Sequence, residues 1–160
     1  MNPVLRTASM PKLGSYSTIR TFLNVVHPVF HAATLQQFSR GLKRGIRADG
    51  NYPEFRGTGD NGIPFLRNLD LLMTNPYNRP YIFVFDLDQL SIKYQLDQVE
   101  IPDEFGGFAL VLRSGVIPRT YIRGLVVEGR LFDMRSRVIS KPGSPPKSLP
   151  SKIVPRLRVP

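Results

Sequence analysis

The sequence predicts an α+β fold of split, mixed or antiparallel β-sheets with a few short helices, carried between extended basic N- and C-terminal arms. Three observations lead there. Residues 81–85 (Tyr-Ile-Phe-Val-Phe) and 108–112 (Phe-Ala-Leu-Val-Leu) are continuous apolar runs, the pattern of strands buried on both faces. Helical recurrence of apolar residues is confined to a stretch after Thr34 and a shorter one after Asn68. The charge sits at the ends: residues 1–52 hold seven basic residues and one acidic, and residues 135–160 hold seven basic and none acidic. The middle, 53–134, holds eight basic against eleven acidic.

Taken in order, residues 1–20 read as a basic arm. Its freedom from acid and its Arg, Ser and Thr content match an organellar transit peptide, but Pro3, Pro11 and Gly14 would break an amphipathic helix. No apolar stretch of secretory type follows Arg6 and Lys12, so a signal peptide is not expected, and residence is expected to be cytoplasmic or within a virion. Phe22 to His31, rich in β-branched and aromatic residues, predicts a strand interrupted at Pro28. Thr34 is placed to cap a helix whose apolar positions are Leu35, Phe38, Leu42 and Ile46, with Gly45 near its end and Arg40, Lys43, Arg44 and Arg47 as a basic terminus.

Residues 49–62 carry four glycines and a proline and predict a long loop, either a lid or a plain connector. A short strand at 63–66 follows, edge-like or irregular because of Pro64, and then a short helix capped by Asn68. After the buried strand at 81–85, Asp86-Leu-Asp88 predicts an Asx turn or a single helical turn. Residues 92–101 read as extended, 117–122 as a turn, 125–127 as a strand, and 131–139 as one more. The domain is therefore expected to span 21–139. Residues 140–160, with six prolines from Lys141 onward, form an extended Pro/Lys-rich tail.

Composition excludes several chemistries. The 160 residues include no cysteine, which removes a disulfide framework, thiolate metal ligands and a Cys nucleophile. Two histidines leave little for a multi-His metal centre, and no metal is expected. No apolar run approaches the roughly 20 residues needed to cross a bilayer as a helix. Ten Phe, six Tyr and 41% hydrophobic residues can build a core, so wholesale disorder is excluded. The net charge of +10 favours a polyanionic neighbour such as nucleic acid, or packing into an assembly.

One constellation carries chemistry. A strand ending in His31-Ala-Ala-Thr34 leads into a helix containing Gly41-Leu42; a glycine loop leads to Gly62-Ile-Pro-Phe-Leu-Arg-Asn68; a buried strand ends in Asp86-Leu-Asp88. This order resembles the ADP-ribosyltransferase fold, in particular small bacterial and phage-encoded mono-ADP-ribosyltransferases and the related RNA 2′-phosphotransferases, over about residues 26–128. The resemblance implies an NAD-dependent transfer of ADP-ribose to a macromolecular target. It assigns NAD contacts to His31, Ala32 and Thr34 in the first motif and to Phe65 and Arg67 in the second. It assigns catalysis to Arg67 and to a late carboxylate that would stabilise the oxocarbenium-like sugar as nicotinamide leaves.

The sequence departs from that pattern in three places. Ala32 stands where glycine is usual, Leu66 where a hydroxyl is common, and the position of the late carboxylate falls on Gly106 or Gly107. Glu104, or Asp103, would serve only if the register slipped by two or three residues. Two other readings stand beside the transferase: a non-catalytic subunit of a virion or ribonucleoprotein whose basic arms reach neighbours or nucleic acid, and a small RNA-binding or processing protein. Bland roles are equally defined. His27 before Pro28 reads as structural, Arg67 as a partner of Asp70, and Asp86 with Asp88 as a turn rather than a metal site.

Overall fold

A computed structural model describes residues 19–48, 52–74 and 79–134. These residues form an α+β domain in which every strand pairing is antiparallel. The strands are β1 (Pro28–Ala33), β2 (Ile46–Arg47), β3 (Ile63–Phe65), β4 (Tyr81–Asp86), β5 (Asp97–Glu100), β6 (Phe108–Leu112), β7 (Val116–Ile117), β8 (Ile122–Val127) and β9 (Arg130–Asp133). The helices are α1 (Leu35–Arg44), α2 (Leu69–Thr74) and α3 (Leu87–Lys93).

A four-stranded sheet runs β1-β4-β8-β9 and a three-stranded sheet runs β3-β6-β5, while β2 and β7 form a small ribbon. The two larger sheets meet where Phe30 and Leu66 exchange backbone hydrogen bonds, both 2.8 Å. The core lies along this junction and holds Phe30, Phe65, Phe83, Phe85, Phe105 and Phe132. The run at 81–85 lies centrally in its sheet, paired on both sides, which is why it carries no polar alternation.

Two expectations around the first strand are corrected. Residues 19–23 are helical, and the strand begins at Pro28 rather than Phe22. Ile19 and Leu23, four residues apart, are both buried, so helical spacing overrides the β-branched composition of the segment. Asn24 then turns the chain at a positive φ of 56°. The segment is pinned across β8: Leu23 packs over Gly124, and Arg123 donates to the Leu23 carbonyl at 3.0 Å.

Helix α1 starts as the sequence predicts. The Thr34 hydroxyl accepts from Gln37 N at 3.1 Å while the Gln37 side chain accepts from Thr34 N at 2.9 Å, a complete capping box. Thr34→Ala should lower folding stability by about 1 kcal/mol in urea unfolding. Gly45 ends the helix at φ 85°, where a Cβ would press on the Ile117 carbonyl of β7.

Asn68 caps α2 by accepting from Leu71 N. Asp86 accepts from Asp88 N, the expected Asx geometry, but α3 continues for two turns, and Ile92 stands 87% exposed on it rather than in a strand. The extended stretch is therefore shorter than 92–101 and begins at Asp97. Ile117 belongs to β7, not to a turn, because it pairs with Ile46. β6 matches the predicted run, although Phe108 at its start is 57% exposed. Residues 1–18 of the predicted arm and the whole predicted tail, 140–160, lie outside the described residues, as does the end of the predicted last strand, while residues 19–20 of that arm belong to the helical segment.

Candidate functional site

β1 delivers His31 into a small cleft between the sheet and α1. The imidazole is 1% exposed and stacks parallel to Phe83, with centroids 6.4 Å apart, while the Tyr52 ring meets it edge-on at 4.9 Å. Its Nδ1 lies 3.0 Å from the Pro64 carbonyl. A carbonyl only accepts, so Nδ1 carries a proton and donates it to Pro64. The same bond ties β1 to β3 beside the Phe30–Leu66 junction.

The remaining walls come from three elements. Ala33 lies two residues beyond His31 on the same strand face, α1 contributes Gln37 and Arg40 at one-turn spacing, and β2 with its lead-in contributes Gly45, Ile46 and Arg47. Tyr52 closes the cleft and donates its hydroxyl to the Arg47 carbonyl at 3.3 Å. An imidazole, a phenol ring, an amide and two exposed guanidinium groups therefore share one depression. Guanidinium groups bind phosphate oxygens through two parallel hydrogen bonds. None of the described lining residues is acidic.

The residues singled out from sequence divide between this cleft and other places. His31 lines it, and buried Phe65 lies behind, its ring 6.1 Å from the imidazole. Thr34 serves the cleft indirectly, through the capping box that fixes Gln37. Ala32 is buried on the opposite face of β1. Arg67 is exposed, beyond the sheet junction, and is not among the lining residues. Glu104 sits in the 3-10 turn Asp103–Phe105, 3.4 Å from the Arg56 guanidinium. It is not among the lining residues either.

Gly106 and Gly107 adopt φ of 110° and 89°, so backbone geometry demands glycine at the position where the resembled family carries its carboxylate. Among the other carboxylates, Asp86 pairs with Arg123 and Asp88 with His27. Each thus has a structural partner, and no metal-binding cluster of His, Asp or Glu occurs among the described residues.

Sequence reasoning missed Gln37, Arg40, Arg47 and Tyr52. Gln37 carried a signal, since Thr-x-x-Gln is a capping-box spacing, and Arg40 lies one turn further along the same face. Tyr52, in a glycine-rich loop, carried none. Also unforeseen is Glu54, fully buried in the 3-10 turn Pro53–Phe55 and bonded to Arg79 Nη1 at 2.8 and 3.0 Å. Arg79 in turn lies over the Phe105 ring, 5.9 Å from its centroid. The described part of the loop is thus anchored in the core.

No family model matches the chain, and neither the curated proteins nor the solved structures provide a match. No helix among the described residues is long and apolar enough to cross a membrane.

Proposed function

We propose that the cleft beside His31 is a nucleotide site and that the chain is an ADP-ribosyltransferase-like protein that uses NAD. The observation that supports this reading is the convergence of His31, Tyr52 and Phe83 with Arg40 and Arg47. The nicotinamide ring would lie against the aromatic walls, with the diphosphate between the two guanidinium groups. In the transfer, the bond between nicotinamide and the ribose anomeric carbon breaks and nicotinamide leaves with the electron pair. A nucleophile of the macromolecular target supplies the pair for the new bond and releases its proton to solvent.

The position of Glu104 favours a second reading. With that carboxylate held by Arg56 and absent from the described lining, the sugar cation would lack the charge that normally stabilises it, worth on the order of 10²–10³-fold in rate for a comparable electrostatic group. NAD would then be bound without turnover, in a binding or assembly subunit.

Titration calorimetry and nicotinamide release separate the two. Both readings expect NAD to bind, and Arg40→Gln to weaken it by about tenfold, the loss of one charge-assisted contact. Only the transferase releases nicotinamide. A chain that binds no NAD at any concentration tested defeats both.

A further inference from the structure

Beside the cleft lies a second surface with its own chemistry. Lys43 and Arg44 are exposed on the last turn of α1, and the 3-10 turn Arg119–Tyr121 packs against that turn, with Arg119 Nη1 donating to the Leu42 carbonyl at 3.2 Å. The half-buried Tyr121 ring meets Tyr94 at 5.9 Å in an edge-to-face pair, and Tyr94 donates its hydroxyl to the Val116 carbonyl at 3.2 Å. Burial, and then the neighbouring Tyr121, push the Tyr94 hydroxyl above its ordinary value, so this donor keeps its proton in alkaline solution.

Several cations elsewhere on the domain are matched locally. Arg113 meets Asp60 and Asp97, Arg123 meets Asp86, Arg56 meets Glu104, and Arg79 meets Glu54. Residues 19–48 contain no acidic residue at all. Cations beside tyrosine rings, without interleaved carboxylates, suit phosphates and bases together.

We infer that Lys43, Arg44 and Arg119, with Tyr121 and Tyr94, form a docking face for single-stranded nucleic acid. The cations track the backbone and the tyrosine edge offers a stacking surface. A duplex buries its base faces and would leave the tyrosines unused. An acidic protein segment would use the cations alone. The inference goes beyond the nucleotide cleft and does not depend on it, because strand binding is measured without NAD.

The test is fluorescence anisotropy of the full chain with a labelled mixed-sequence single strand of about 20 nucleotides across a salt series. Binding should fall linearly on a log–log plot against salt. Lys43→Gln with Arg44→Gln should flatten the slope by about 1.4, two phosphate contacts at about 0.7 each. Tyr121→Leu should weaken binding about fivefold or more at unchanged slope. A charge-matched pair in the tail, Lys147→Gln with Lys152→Gln, should do less than the α1 pair.

Equal effects from the tail pair, or no effect from Tyr121→Leu, would overturn the inference. So would a polyglutamate of matching charge that competes fully and is indifferent to Tyr121→Leu, since that behaviour marks an acidic protein partner. Photo-crosslinking of the unaltered protein gives a second readout that does not depend on variant folding. Crosslinks should map to peptides containing residues 40–47 and 119–121, and their confinement to 1–18 or 141–160 would equally defeat the proposal.

Discussion

Urea unfolding of Glu54→Ala should find the domain destabilised by about 3–5 kcal/mol, with the midpoint lowered and the slope unchanged. The substitution leaves the Arg79 guanidinium inside the protein without the carboxylate that takes two of its hydrogen bonds. An uncompensated buried charge costs far more than the intact pair gains, because most of the Coulombic attraction only offsets the desolvation of the two ions. The companion experiment distinguishes that cause from simple loss of packing. Glu54→Leu combined with Arg79→Met removes both charges at similar volume and should recover most of the lost stability. A Glu54→Ala protein whose stability matches the parent would mean that the charge is reached by water.

Gly62→Ala should cost on the order of 2–5 kcal/mol, from backbone strain together with overpacking. Gly62 holds φ at 123°, and an added Cβ would press on the Leu112 carbonyl oxygen and come within 2.9 Å of Val111. Leu112 is the residue that Ile63 faces across the β3–β6 pairing, so the clash can be relieved only by opening that pairing. Gly57 separates the two contributions. It has φ 79° but no atom within 4 Å of the place an added methyl would occupy, so Gly57→Ala should show the conformational penalty alone, about 1 kcal/mol. Equal losses at the two sites in chemical denaturation would refute the steric account.

What the sequence disclosed follows from which interactions are local. The cap at Thr34, the glycine stop at Gly45, the Asx turn at Asp86 and the strands β4 and β6 each depend on a few neighbouring residues, and each stands where expected, although β6 is not buried on both faces. The helical segment at 19–23 was hidden because Val25, Val26 and Phe22 outweighed the single Ile19–Leu23 spacing. The ribbon of β2 and β7 joins two-residue strands 70 residues apart, too short to leave a period. Of the residues singled out from sequence, His31 lines the cleft, Thr34 acts only through its cap and Phe65 lies behind the imidazole. Tyr52, Glu54 and Arg79 belong to irregular backbone, where only tertiary partners decide burial.

The strand order β1-β4-β8-β9 also bears on how the chain finds its structure. Within that sheet only β8 and β9 are joined by a tight reversal, with Glu128 and Gly129 both at positive φ, while β1 and β4 lie some fifty residues apart in sequence. High contact order of this kind slows folding to roughly the millisecond-to-second range, since loop closure precedes any reward from pairing. Loop closure is therefore least costly for the β8–β9 hairpin and more costly for β1, which carries His31.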